Sequence, residues 1–177
     1  MSPELITEHF IIRALAPNDL LAFSQYRSMP EVAQYQSWGE DYSLSDAKAL
    51  LEGTDYAHFG QEGHWYQLAI ADRESEVLFG DLAVHFIDEQ QVEIGFTLAP
   101  QYQGKGIACE AVNTLLAYLF NTLNKHRVIA ITDTKNRPSC QLVERLNFRK
   151  EAHFMQNVFF KGAWGDEYVY AMLKSEY

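Results

Sequence analysis

Between Val92 and Phe120 the chain changes its hydrophobic period in a way that few folds accommodate. Val92 to Leu98 alternates like a strand. Gln101 to Ala108 forms a turn that carries Gly104 and Gly106. Ala111, Val112, Leu115, Leu116, Leu119 and Phe120 then recur at helical spacing. A strand that feeds a helix through a glycine turn presents the unpaired N–H groups of the first helical turn. The positive end of the helix dipole faces the same way, so the turn is a place to hold an anion. Lys105 adds a charge there, and Gly106 and Ala108 leave room for close approach to the backbone. The helix must lead back to the sheet. Arg127-Val128-Ile129-Ala130-Ile131-Thr132 is the β-prone run that receives it, and this order implies a parallel crossover.

The stretches on either side limit the architecture further. His9 to Leu15 reads as a first strand. Asn18 is a candidate N-cap for a helix from Asp19 to Arg27, and Pro30 stops that helix or offsets the next one. Residues 34–42 look like a loop. Ser43-Leu44-Ser45-Asp46 fits a capping box for a second helix that Gly53 ends. Tyr66 to Ile70 and Val77 to Phe86 alternate as strands, with a bulge expected at Gly80. Three strands joined by short turns make an antiparallel meander. Beyond Thr132 a helix with Pro138 in its first turn carries Leu142, Val143 and Leu146 on one face, and Asn147 stands where a left-handed residue is expected. Phe154 to Phe160 and Tyr168 to Leu173 read as two last strands around a turn at 162–166. The sum is an α/β (α+β) fold. A mixed, mostly antiparallel central sheet of about seven strands has helices on both faces and one splayed parallel pair, whose diverging ends open a ligand crevice. With no linker, repeat or low-complexity segment, residues 1–177 read as one domain.

The glycine turn is neither of the common nucleotide motifs. No Gly-x-x-x-x-Gly-Lys-Ser/Thr occurs. Gly104-Lys105-Gly106 lacks the third glycine of a Rossmann turn and comes after antiparallel strands. The formal charge of −10 argues against a nucleic-acid partner and weakly favours a cationic one. No apolar run reaches the roughly 18 residues that span a bilayer, and Met1-Ser2-Pro3-Glu4 does not open a secretory signal, so no membrane partner is expected. The two cysteines, Cys109 and Cys140, are too few for a disulfide framework and suit a reducing, cytoplasmic compartment. No Cys/His/Asp spacing suits a metal.

Gln103-Gly104-Lys105-Gly106-Ile107-Ala108 resembles the Gln/Arg-x-x-Gly-x-Gly/Ala signature of the GNAT N-acetyltransferase superfamily. Phe10-Ile11-Ile12-Arg13, Glu93-Ile94-Gly95-Phe96, Asn136 with Ser139, Leu146-Asn147-Phe148 and Lys161-Gly162 with Trp164 resemble segments of its RimJ/RimL-like branch, in order and along nearly the whole chain. The resemblance implies a fold that binds acetyl-CoA and an acetyl transfer to a primary amine by direct attack in a ternary complex. The acceptor would be a protein N-terminus or a small cationic amine. Homodimer formation is left open. The resemblance implies that Phe96, Thr97 and Leu98 pair with the pantetheine amides. Gln103, Gly104, Lys105, Gly106, Ile107 and Ala108 would hold the pyrophosphate, and Asn136 would bond to the pantetheine arm. Many members carry a Tyr seven residues after this Asn, as acid for the leaving thiolate. Here the position is Val143, and Ser139 is the substitute the branch suggests.

Attack by an amine requires a base. Glu93, just upstream of the splay, is the first candidate, against the alternative of a solvated carboxylate. His85 is the second, against a cross-strand packing role. Cys109 and Cys140 as nucleophiles are weighed against inert helix packing. Tyr35, Trp38 and Tyr42 are candidates to line the acceptor pocket, and Trp164 and Tyr168 to close it, against the alternative of core or surface aromatics, which is favoured for each taken singly. The alternative from another class is a catalytically degenerate acyl-CoA-binding module.

Overall fold

The computed structural model describes all residues from Met1 to Tyr177. Its elements are β1 (Leu5–Ile6), β2 (Phe10–Ala14), α1 (Leu20–Arg27), α2 (Pro30–Ala33), α3 (Leu44–Glu52), β3 (Trp65–Asp72), β4 (Leu78–Phe86), β5 (Gln91–Leu98), α4 (Ile107–Ala117), β6 (Arg127–Asp133), α5 (Arg137–Arg145), β7 (Arg149–Phe160) and β8 (Ala163–Leu173). The strands form one sheet in the order β1-β2-β3-β4-β5-β6-β8-β7. Every neighbouring pair is antiparallel except β5 and β6. No helix is long and apolar enough to cross a membrane.

The strand alternation sorts the core onto two faces. Leu68, Ile70, Leu82, Val84, Val92, Ile94, Val128 and Ala130 meet Ala111, Val112, Leu115 and Leu116 of α4 and Val143 of α5. On the other face Ala69 and Leu78 meet Phe23 and Tyr26 of α1, Val32 of α2 and Ala47 of α3. Helices therefore cover both sides, and α4 and α5 share one of them.

Several local expectations hold. Ser43 caps α3, with Ser43 Oγ accepting from Asp46 N at 3.2 Å and Asp46 Oδ2 accepting from Ser43 N at 2.7 Å. Asn147 is left-handed at φ 65°. Beside Gly80, Ile70 pairs with Gly80 while Ala71 pairs with Leu78, which leaves Phe79 as the extra, bulged residue. Gly80 is glycine for reasons of space: a Cβ there would lie 2.1 Å from the Thr97 carbonyl oxygen. β4 and β5 touch backbone to backbone at that point.

Other expectations need correction. The sheet of about seven strands has eight, the additional one at its edge. The added β1 has two residues, too few for alternation to show, and the Thr7 turn folds it back: Phe10 N donates to Thr7 Oγ1 at 3.0 Å. Asn18 does not cap α1. Pro17–Asp19 is a 3-10 turn, α1 begins at Leu20, and Asp19 instead accepts two bonds from Arg13, at 2.7 and 3.0 Å. The last hairpin is longer than its apolar residues suggest. Its turn is Lys161-Gly162, at φ 47° and 83°, a left-handed pair that matches the twist of the flanking strands. Trp164 and Asp166 are thereby released into β8, where Trp164 pairs with Phe159.

The edge of this hairpin carries an ion cluster with a pH signature. Glu151 on β7 accepts from Arg127 of β6 at 2.8 Å and from Arg149 at 2.7 Å. These two guanidiniums, Arg127 first, pull its carboxyl down to about 2. A carboxylate with a depressed folded pKa stabilises the fold above its unfolded value, near 4.5. That contribution is lost as pH falls toward 2. Glu151→Gln is therefore expected to melt below the parent protein at pH 7, with the gap closing across the acid range in paired thermal melts.

Candidate active site

β5 and β6 are in register only from Gln91↔Arg127 to Glu93↔Ile129. Beyond Glu93 the two strands part. A cavity of about 640 Å³ opens along the gap, walled by Phe96, Thr97 and Leu98 of β5 and by Asn136 and Ser139 at the start of α5. The turn into α4 supplies Gln103, Gly104, Gly106, Ile107 and Ala108. A smaller cavity of about 80 Å³ continues it at the splay, between Ile94–Phe96 and Ala130–Thr132, and Ser139 borders both.

The α4 turn leaves its backbone open. Gly104 and Gly106 are left-handed, at φ 71° and 83°. A Cβ on either would meet nothing within 4 Å, so the space in front of them is open. Gly106 is the N-cap of α4, and the N–H groups just after it have no helical partner. Gln103 lines the cavity and also holds the turn in place. Its Nε2 donates to the Leu98 carbonyl at 3.0 Å and braces the turn against the end of β5. Lys105 does not line the cavity; its ammonium lies 5.7 Å from the Tyr102 ring centroid. Asn136 caps α5, its Oδ1 accepting from Ser139 N at 3.4 Å, and its amide NH₂ remains free to donate. Val143 is fully buried against the sheet. A side chain at that position belongs to the core.

Glu93 sits at the last paired position before the splay and lines neither cavity, although the next residue, Ile94, lines the smaller one. It belongs to a row across three strands, Trp65 opposite His85 and His85 opposite Glu93. The Trp65 ring stacks on His85 at 4.6 Å, and His85 Nδ1 lies 3.6 Å from Glu93 Oε2. Burial raises the Glu93 carboxyl above its ordinary range. His85 opposes that shift, and Glu167 adds to it. His85 therefore both packs against Trp65 and faces the carboxylate.

The loop after α2 bridges the splay. Tyr35 Oη donates to the Lys135 carbonyl at 3.3 Å, and Gln36 Nε2 reaches Thr97 Oγ1 at 3.5 Å. Tyr35 lines both cavities, as expected. Trp38 and Tyr42 do not. They close on the buried Arg27 guanidinium, which lies 3.8 Å from the Trp38 ring centroid and 4.0 Å from that of Phe23. Arg27 in turn bonds to Asp81 at 3.0 Å, and Tyr26 also bonds to Asp81. A buried cation needs partners on every side, and these aromatics supply them. Trp164 and Tyr168 also leave the pocket. Tyr168 shares the α5 face with Tyr170 and packs on His153, because even-numbered residues of β8 point that way. Trp164 packs edge-on against Phe159. It is the turn of this hairpin that approaches the site: Lys161 Nζ donates to the Ala33 carbonyl of α2.

Cys109 lies on the wall of the large cavity, whereas Cys140 is buried with its Sγ 3.4 Å from Thr132 Oγ1. No cluster of His, Cys, Asp and Glu could hold a metal ion. The sequence reading missed Gln36, Lys135, Gln141 and Arg145 among the lining residues. Gln141 and Arg145 stand four apart on α5, a spacing that could have drawn attention to them.

The family model of the acetyltransferase (GNAT) domain matches residues 9–149, which span both walls of the cavity. The chain belongs to the GNAT acetyltransferases. As a GNAT protein it is an N-acetyltransferase. The uncharacterised N-acetyltransferase p20 of Bacillus licheniformis is 31% identical over 98% of this chain and 97% of its own length. A GNAT-family acetyltransferase from Bacillus anthracis superposes with a TM-score of 0.88 at 27% identity, over 98% of this chain and 100% of the other. The spermidine N-acetyltransferase of Vibrio cholerae, solved in complex with CoA and spermine, superposes with a TM-score of 0.83 over 96% of this chain and 98% of its own. At 22% identity that likeness speaks for the fold.

Proposed function

We propose that this GNAT protein, of the RimJ/RimL-like kind, transfers the acetyl group of acetyl-CoA to a primary amine by direct attack, with both substrates bound. The observation that carries this reading is the single cavity that joins the unpaired edge of β5, the glycine turn before α4 and the start of α5. Its shape suits a long ligand with an anionic middle and an amide-bearing arm. The coenzyme would supply the activated acetyl thioester. The N–H groups just after Gly106 would hold the pyrophosphate, with Gly104 and Gly106 giving backbone access. The backbone of Phe96 to Leu98 would pair with the pantetheine amides, as a strand edge does. Asn136 would donate to the same arm. Glu93 would take the proton of the attacking amine, directly or through water. Ser139, on both cavities, would hydrogen-bond the leaving sulfur in place of the Tyr that Val143 replaces. Residues 1–177 would act as a single domain. The free thiols Cys109 and Cys140 fit a cytoplasmic enzyme.

The acceptor would be a protein N-terminus or a small cationic amine, which the charge of −10 favours. A test is thiol release from acetyl-CoA across a panel of short peptides with free α-amino groups, polyamines and aminoglycosides. Release that depends on one amine class is expected. Val143 favours one other reading, a coenzyme-binding module without transfer. Tight acetyl-CoA binding with no release on any amine would establish that reading instead.

A further inference from the structure

The loop that bridges the splay is tied down at both ends. At one, the Ala33 carbonyl of α2 accepts from the Lys161 ammonium. At the other, Trp38 Nε1 donates to the Arg27 carbonyl at 3.0 Å. Between these points Tyr35 Oη donates to the Lys135 carbonyl beyond β6, and Gln36 Nε2 reaches Thr97 Oγ1 on β5. Residues 34–37 are therefore a strap from one wall of the splay to the other. The Arg27 end is held in an unusual way. Arg27 is 2% exposed and Asp81 1%, and Arg27 Nε and Tyr42 Oη are buried with no hydrogen-bond partner. A buried ion pair with unmet donors is a poor source of stability, and apolar side chains would fill the same space as well or better. What the pair does supply is position. Asp81 stands opposite Thr97 across β4 and β5, on the same sheet face. The anchor of the loop and the residue that Gln36 meets thus share one rung.

We propose that Arg27 is a positioning residue for the reacting end of the cavity. Through Trp38 it holds the Tyr35–Gln36 strap across the splay, and the strap keeps water from the thioester. This role rests on the acetyl-CoA reading of the cavity, with the acetyl group at the splay. A guanidinium suits it because its flat face stacks on the Trp38 ring, 3.8 Å from the centroid, while its edge still meets Asp81 at 3.0 Å. A lysine ammonium has no such face. A loosened strap admits water to a site that closure keeps dry. The water oxygen then bonds to the thioester carbonyl carbon, the C–S bond breaks, and the sulfur takes one proton of the water, giving acetic acid and CoA with no amine consumed.

The experiment is thiol release from acetyl-CoA with no amine present, so that water is the only acceptor, for the full chain and for Arg27→Lys and Trp38→Phe. Trp38→Phe keeps a ring against the guanidinium but removes the donor to the Arg27 carbonyl, so it probes the same link even where Arg27→Lys fails to fold. Amine-free release is expected to rise about tenfold in Arg27→Lys and less in Trp38→Phe. Calorimetry should find acetyl-CoA affinity close to that of the parent in both. Amide exchange should quicken at residues 34–37 and not in α4. A merely structural Arg27 predicts the opposite, a fall in release in step with the melting temperature. Release at or below the parent rate in either folded variant, or unchanged exchange at residues 34–37, would overturn the role of Arg27. Failure of the parent to bind acetyl-CoA would overturn the reading beneath it.

Discussion

Gly106→Val is expected to leave a folded protein that no longer binds acetyl-CoA. Gly106 sits at φ 83°, where a β-branched residue is strained. That strain alone would lower the melting temperature by a few degrees. The larger effect lies in front of the turn. No protein atom comes within 4 Å of a Cβ built at Gly106, so the valine methyl groups would enter the open space proposed for the pyrophosphate. Losing two or three charge-assisted bonds from N–H to phosphate predicts a fall in affinity of at least about a hundredfold. Gly106→Ala, which adds one methyl group, should fall between the two. Titration calorimetry with acetyl-CoA, paired with melting curves of the unliganded variants, separates loss of binding from loss of fold. Retained affinity in a folded Gly106→Val protein would move the phosphate away from this turn.

Glu93→Gln is expected to lower turnover by about a hundredfold while acetyl-CoA affinity stays nearly unchanged. The residue is outside the large cavity but sits at the last rung before the strands part, facing His85. Burial raises its carboxyl, chiefly by desolvation. A base works in its ionised form, so the rate of the parent enzyme should climb as pH rises through that elevated value, and the Gln variant should lose that limb. Stability should move the other way. A carboxyl with a raised folded pKa stabilises the fold below its unfolded pKa, and this is lost as pH rises through the folded one. Gln is neutral throughout, so the variant should melt slightly above the parent at pH 7. Lower activity with higher stability is the signature of a working group held in an unfavourable place. A pH–rate profile that keeps its acid limb in Glu93→Gln would remove Glu93 as the base.

The parts that could be read from the sequence are those whose physics is local. The Ser43–Asp46 box, the left-handed Asn147 and the glycines before α4 each depend on a few neighbouring residues, and the structure places them as expected. The parallel return from α4 to β6 comes from chain connectivity. What escaped depends on partners far along the chain. Trp38 and Tyr42 look like pocket aromatics until Arg27 is seen buried against Asp81, 54 residues away. Tyr168 reads as a pocket residue until the register of β8 puts it on the α5 face with Tyr170. Glu151 and its neighbours at the start of β7 lie on an exposed edge and show no alternation, so their sequence carries no strand signal. The coenzyme roles assigned to the cavity residues rest on resemblance and geometry together, and the Gly106 and Glu93 variants are their trial.

The short register between β5 and β6 has a consequence for how the protein should respond to its ligand. Three rungs, Gln91 to Glu93 against Arg127 to Ile129, are the whole strand pairing between the first five strands and the last three. A ligand arm whose amides bond to the free edge of β5 would act as a missing piece of backbone and extend that seam. Occupancy would then be felt as cohesion of the whole sheet, by about 2.7 kcal/mol at a ligand concentration one hundred times Kd. The seam is where hydrogen exchange should slow most when the coenzyme is bound.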